Sequence, residues 1–530
     1  MNTTASHVNA LRQAYARLAS LPAGCEPRRD AAAALAKASR AALDWMNLAF
    51  EAFSAERFGE GHAALAETRA ADPDFLPARW LAFQYPDDPA PASPAAAERF
   101  IARWADGIAE FERLDFREPR WQAQVWGCVG SCTAFYRHYL GDDLALYTRY
   151  GRLVQRMMAA LDPGDPPRPL RSGRRRVVFC SPHLFEHTVA RLFVPLIEAQ
   201  DRQRFDLHCV SFASGEGEWL GRLQRVAQVH AGLRAPPDWR RLLSQLQADV
   251  IVYLDVGMDP ITQGLAALRL APCQAVMWGH PVTTGLPSVD YFLSPDAMEG
   301  ADGESHYSEA LWRLPGLGHG LDPAPAPSSP PPAAADAPLD LLCAQSVYKL
   351  MPEQDALFAR ILARLPGARL HLIPHPEASV REWLLARMRP ALAAAGVSPE
   401  RVVLHGYRPL AEFRALATGC ALNLDSIGWS GGMSSLDLLQ LGLPTVTLPG
   451  NSMRSRQTAA LLQRLDAGDG IAGDREDYVE RAVALASDPV RRQALGQCLR
   501  DNASRLFERE RVAAGLGEFL GHGSITAHRR

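Results

Sequence analysis

CALNLDSIGWSGGMSSLDLLQLGLPTVTLP, residues 420–449, decides how the rest of the chain is read. CALNLD is a short apolar run that ends on a carboxylate, Asp425. SIGWSGGMSS has the glycine and serine content of a loop, a helix begins near Ser435, Leu436 and Asp437, and PTVTLP is a second strand-like run. Strand, loop, helix and strand in this order point to a parallel sheet. Backbone N–H groups at the start of a helix lack intrahelical partners and attract an anion. Gly431 and Gly432 let the loop approach a ligand, and Ser434 and Ser435 offer hydroxyls to a phosphate. Asp437 suits the helix dipole or, alternatively, the two hydroxyls of a ribose. An ordinary capped helix after a surface loop accounts for the same residues. The Gly-Lys-Ser/Thr ending of a Walker loop is absent.

Working outward, the alternation continues on both sides. LDLLCA (339–344), ARLHLIPH (368–375) and RVVLHG (401–406) read as strands between helical stretches, which makes 339–522 one α/β unit. Residues 316–338, GLGHGLDPAPAPSSPPPAAADAP, hold neither a continuous helix nor a strand and form a Pro/Ala-rich linker. Before it, VVFCS, FDLHCVSF, DVIVYLDV, QAVMWG and YFLSP mark a second α/β unit over 174–315. Residues 1–165 are helical throughout: ALRQAYARLA (10–19), AAAALAKASRAALDWMNLAF (31–50), AAAERFIARWADGIAEFERL (95–114) and LALYTRYGRLVQRMMAAL (144–161) repeat apolar residues at three and four. Proline-rich ends break this pattern between Asp72 and Pro94. Two α/β lobes behind an all-α domain leave a cleft at the carboxyl ends of their strands.

The bulk composition narrows the partners. The 530 residues are 47% hydrophobic and 22% charged, with a net charge of −3, so no basic footprint for nucleic acid is present in the average. Nine cysteines, an odd number set mostly in apolar runs, read as reduced core thiols. Cys128 and Cys132 lie four apart with no second pair nearby, which argues against a metal site. No signal-like block opens the chain and no run of eighteen apolar residues occurs, so a cytoplasmic protein without stable membrane insertion is expected.

Other polar residues sit at strand ends. His183 and His187 flank the turn in SPHLFEHTVARLF (181–193), with a helix expected from about Glu186; proton transfer is one reading and helix capping or core packing the other. His280, Thr283 and Thr284 occupy the tight loop in MWGHPVTTGLPSVDYFLSPD (277–296), a site or a turn. Lys349 in SVYKLMPEQ can meet a diphosphate, or be a solvated lysine at a helix start.

Several of these pieces, taken in order, resemble one family. HTVARLF (187–193), LRLAPCQAVMWGHPVTTG (268–285), YSEALWRLPG (307–316), VYKLMPE (347–353) and GWSGGMSSLDLLQLGLPTVTLPG (428–450) are similar to the O-linked N-acetylglucosamine transferase family of protein glycosyltransferases. That family includes the bacterial cytosolic N-glucosyltransferases that modify adhesins. The resemblance implies two Rossmann-like lobes of GT-B type and inverting, metal-independent transfer from a UDP-sugar, without a cofactor. The donor it implies is UDP-glucose or UDP-N-acetylglucosamine, and the acceptor a protein or peptide side chain reached from the first lobe and the helical domain. Lys349 resembles the family's diphosphate lysine, Ser434 and Ser435 its phosphate-binding hydroxyls, and Asp437 its ribose carboxylate. His187 resembles an active-site histidine, and His280 lies in a loop resembling the one that shapes the acceptor side. Ser346 stands where the family has an amide, with Gln345 one place earlier, and Phe413 stands where a histidine often lies near the uracil. Two alternatives remain: transfer to a small molecule, lipid or glycan, and a non-catalytic interaction protein of the same fold.

Overall fold

The computed structural model describes residues 13–22, 25–166, 168–211, 217–232, 235–323 and 339–522. The chain divides into two compact units, residues 1–140 with 156–161, and residues 141–155 with 162–530.

The first unit is all helix. Residues 13–20 are helical, while residues 10–12 of the helix expected there lie outside the described residues. Glu26–Ser39, Ala42–Ser54, Phe58–Ala71, Leu76–Gln84 and Pro94–Glu112 follow. Leu76–Gln84 lies inside the stretch whose prolines signal a break. Pro77 stands in its first turn, where the missing N–H costs nothing, and Trp80, Leu81 and Phe83 are buried. Pro94 likewise starts its helix, behind Ser93, whose Oγ accepts from the Ala96 N–H at 3.2 Å. Edge-to-face rings hold the centre, with Trp80 to Phe111 at 5.1 Å and Phe83 to Trp104 at 5.4 Å.

The second unit carries two all-parallel sheets. In the first lobe β1 (Arg175–Ser181), β2 (Phe205–Ser211), β3 (Gln228–Ala231), β4 (Val250–Tyr253), β5 (Cys273–Met277), β6 (Tyr291–Pro295) and β7 (Ala310–Leu314) lie in the order β3-β2-β1-β4-β5-β6-β7. In the second lobe β8 (Asp340–Cys343), β9 (Arg369–Leu372), β10 (Val402–Leu404), β11 (Leu422–Leu424) and β12 (Thr445–Val446) lie in the order β10-β9-β8-β11-β12. The inner strands β4 and β5 are buried along their whole length, which is why they read as unbroken apolar runs. The outermost strands β3 and β7 keep most of their residues partly solvated, and no apolar run announces either.

Both sheets reverse their winding once. The reversal lies between β1 and β4 in the first lobe and between β8 and β11 in the second. At such a point the loops leaving the two strands diverge to opposite faces and open a crevice at the carboxyl ends. The C-terminal helix Arg509–Gly521 returns to the first lobe. Its Phe519 packs on Tyr291 and Trp312, and its Ala513 carbonyl accepts from Gln200 Nε2 at 3.1 Å. Residues 316–323 of the linker also pack on that lobe, with the Gly320 N–H bonded to the Leu192 carbonyl, while residues 324–338 lie outside the described residues.

Candidate active site

At the second reversal Gln345 joins the chemistry. It leaves β8 fully buried, and its Nε2 donates to Asp425 Oδ1 at 3.3 Å and Ser434 Oγ at 3.2 Å. Its Oε1 accepts from Lys349 Nζ at 3.2 Å. A second Lys349 hydrogen goes to the Ser430 carbonyl at 3.0 Å, and the ammonium lies 6.0 Å from the Trp429 ring centre. Burial lowers the Lys349 pKa to about 8, and the Asp425 carboxylate opposes that shift. These two bonds engage two of the three ammonium hydrogens.

Asp425 anchors the loop. It is fully buried where β11 ends. Its Oδ1 accepts from the Gly431 N–H at 2.8 Å, its Oδ2 from Thr447 Oγ1 at 2.8 Å, and its carbonyl from Tyr478 at 2.8 Å and Gln354 at 3.0 Å. Burial raises its pKa, against the pull of those donors and Lys349. The helix that follows is Met433–Gln440, two residues earlier than its apolar spacing indicates, and its N-cap is Gly432, which offers no side-chain cap. That helix start therefore keeps its affinity for an anion. Both glycines serve packing: a Cβ at Gly431 would run into Ser435 Oγ and Gln345 Nε2, and one at Gly432 would lie 2.9 Å from Gln457 Oε1. The two serines differ. Ser434 faces Gln345, whereas Ser435 is fully buried and its Oγ accepts from Thr458 at 2.8 Å.

Asp437 lies between two cations. Its Oδ1 is 3.6 Å from Arg414 Nη2 and 4.0 Å from Arg191 Nη2, the latter on the first-lobe helix Thr188–Glu198. Burial raises its pKa and the two arginines lower it. Phe413 is partly buried and packs on the apolar cluster that includes Leu342, Leu438 and Leu441.

At the first reversal the residues are of another kind. His187 is the N-cap of the helix Thr188–Glu198, so the helix starts two residues later than Glu186; its Nδ1 accepts from the Val189 N–H at 3.2 Å. Burial and then His183, whose ring stacks on it at 4.3 Å, lower the His187 pKa. His183 Nδ1 bonds the carboxylate of Asp255, just beyond β4, and Asp255 is fully buried. His280 is buried too. Burial and the nearby Arg454 guanidinium push its pKa down to about 3, so it is neutral at physiological pH. Its ring meets Trp429 of the second-lobe loop at 5.6 Å.

Trp429 therefore links the lobes, with His280 on one side, Lys349 on another and the Arg454 guanidinium at 5.3 Å. Arg454 is itself buried and paired with Asp142 at 2.8 Å. Sequence reasoning missed Asp425, Trp429, Arg454, Arg191 and Asp255 as members of the site. Asp425 directly follows β11 and Asp255 lies two residues beyond β4, and that position was the available signal. Among the described residues no group of three or more His, Cys, Asp or Glu is placed to hold a metal ion, and no helix is long and apolar enough to cross a membrane.

Two Rossmann-ordered parallel sheets, each gathering polar side chains at its reversal, define a GT-B-like pair of lobes. The chain is homologous to the O-linked N-acetylglucosamine transferase family of protein glycosyltransferases. Residues 341–516 match the family model Glycosyl transferase family 41. The probable UDP-N-acetylglucosamine–peptide N-acetylglucosaminyltransferase SEC of Arabidopsis thaliana is 26% identical over 347 residues, 63% of this chain and 35% of that protein. The UDP-glucose:protein N-β-glucosyltransferase of Actinobacillus pleuropneumoniae is 25% identical over 282 residues, 49% of this chain and 42% of that protein. The chain thus spans about a third of the length of the plant relatives it matches. A mutant of the Thermobaculum terrenum O-GlcNAc transferase has the same fold, with a TM-score of 0.74 at 22% identity over 98% of this chain and 97% of that one.

Proposed function

We propose that the chain transfers a sugar, glucose or N-acetylglucosamine, from a UDP-sugar to a protein side chain, with inversion and without a metal. The observation that carries this reading is the Lys349–Gln345–Ser434 group at the uncapped start of the helix Met433–Gln440. The bond that breaks leaves negative charge on the diphosphate. A half-buried ammonium and a helix N-terminus fixed before the reaction stabilise that charge without reorganising, in the manner otherwise served by a divalent ion. Asp437 is the ribose carboxylate of this reading, with Arg414 and Arg191 holding it in place. Ser435 supports the loop through Thr458, and Ser434 offers its hydroxyl to phosphate. Attack from the face opposite the diphosphate inverts the anomeric carbon. In this reading residues 174–315 face the acceptor, 339–522 bind the donor, the helical domain 1–165 contributes acceptor-binding surface, and the reaction takes place in the cytoplasm. Homology to named protein glycosyltransferases favours a protein acceptor over a small molecule, lipid or glycan.

Calorimetry with UDP, paired with mass spectrometry of host proteins with and without the chain, tests this. Micromolar UDP binding and an added hexose or N-acetylhexosamine are expected, with activity retained in excess chelator. UDP binding without any modified protein would remove the protein acceptor. No UDP binding would remove the whole reading.

A further inference from the structure

The transfer proposed above leaves one proton to be removed, and the three histidines at the first-lobe edge differ in which can take it. A neutral imidazole carries one hydrogen, and the partner of one ring nitrogen decides the state of the other. His187 Nδ1 accepts the Val189 N–H, so its own hydrogen sits on Nε2 and that nitrogen has no lone pair to offer. His280 is so weak a base, with its pKa at about 3, that it would hold a proton poorly at neutral pH. His183 is the reverse of His187. Its Nδ1 faces the Asp255 carboxylate, which can only accept, so Nδ1 carries the hydrogen and the Nε2 lone pair is free. No described residue bonds that Nε2, and the side chain is 21% exposed.

The mount is specific. Ser181, the last residue of β1, donates its Oγ to Asp255 Oδ2 at 2.9 Å and accepts the His183 N–H at 2.9 Å, so both ends of the pair are pinned. Asp255 is fully buried, and among the described residues its Oδ1 has no hydrogen-bond partner. A buried carboxylate half satisfied is costly in the resting fold. It is favourable once the ring beside it becomes an imidazolium. Asp259, the other acid near the pair, is occupied in capping the Thr262 N–H. The pair stands at the β1–β4 reversal. A Cβ at Gly279, next to His280, would lie 3.1 Å from the Asp255 Cβ, and His280 meets the Trp429 ring near Lys349.

We infer that His183, held by Asp255, is the general base that receives the acceptor's proton. As the acceptor oxygen or nitrogen bonds to the anomeric carbon, the bond from that carbon to the diphosphate oxygen breaks and its electron pair leaves with UDP. The acceptor's proton passes to His183 Nε2. Asp255 is the positioning residue. It holds the ring in the tautomer that can accept and balances the charge that forms.

The full chain is assayed with UDP-glucose and with UDP-N-acetylglucosamine against a mixture of peptides carrying Ser, Thr or Asn. H183N keeps an N–H at the place of Nδ1 and so keeps the bond to Asp255, but it has no basic nitrogen. Its kcat should fall about 100- to 1,000-fold, with UDP affinity within about twofold and melting temperature unchanged. Added imidazole should restore part of the rate lost in H183A. Histidine nitrogen NMR should show the Nδ1–H tautomer at His183, and D255N should disturb it while lowering kcat. Transfer by H183N within a few-fold of wild type would overturn the proposal, as would the Nε2–H tautomer or a rate loss matched by weaker UDP binding. A wild type inactive with both donors would defeat the transferase reading on which the proposal rests, whereas an active wild type equalled by H183N would defeat the proposal alone.

Discussion

The two lobes solve one topological problem with opposite chemistry. Each has a parallel sheet with one reversal, β1–β4 in the first and β8–β11 in the second, and each sets a buried aspartate where the second of those strands ends. Asp255 meets a histidine that can take a proton, and Asp425 meets an amide network that orients a lysine. A sheet reversal therefore supplies a crevice and a rigid carboxylate, and the two carboxylates are given different partners, a histidine in the first lobe and an amide and a lysine in the second.

The comparison breaks most visibly at Lys349. Lys349→Ala should lower turnover about 100- to 1,000-fold, the size of a lost transition-state donor, with the melting temperature held. Unchanged turnover, measured with saturating UDP-sugar, would remove the lysine from the leaving-group site.

Asp425→Ala leaves the Gly431 N–H, the Gln345 amide and the Thr447 hydroxyl without their acceptor. A loss of about 3 kcal/mol is expected, read as a lower urea midpoint with the second lobe opening first. Equal stability would show that Asp425 does not anchor the loop.

Asp437→Asn should weaken UDP binding about tenfold, near the worth of one charge-assisted hydrogen bond. Calorimetry that finds equal affinity would take Asp437 out of the ribose site and leave it a bridge between Arg414 and Arg191.

The smallest effect is in pH. Because the Lys349 pKa is lowered to about 8, the ammonium discharges as pH rises through that value, and UDP affinity should fall by at most about tenfold per unit above it. Lys349→Arg should flatten the profile. Stability carries the opposite sign. Between pH 8 and the free-lysine value of 10.5 the unfolded chain holds more protons than the folded one, so stability from this group rises with pH across that window. His280, neutral from well below pH 5, should contribute nothing to either slope.

The inner strands and the Gly-Ser loop were legible because their causes are local. β4 is apolar along its length, and β5 and β11 are mostly so, since all three are buried on both faces, and the Gly-Ser turn carries its conformation in its own residues. The outer strands β3 and β7 were not, because partial solvation removes the apolar run. Leu76–Gln84 was hidden by reading Pro77 as a breaker when its place in the first turn makes it a starter. At the site, Lys349, Ser434 and Asp437 stood out by type and context, whereas Asp255, Asp425 and Arg454 gain their meaning from partners 72, 80 and 312 residues away.

By itself the sequence determined the periodicities, and through them a helical region followed by two parallel α/β lobes, because hydrophobic spacing sets which face of each segment must be buried. Only the tertiary structure decided which histidine meets Asp255 and which caps a helix, that the Ser435 hydroxyl meets Thr458, and which apolar cluster Phe413 packs on. Those choices depend on hydrogen-bond partners and burial that distant segments supply, and no local pattern encodes them.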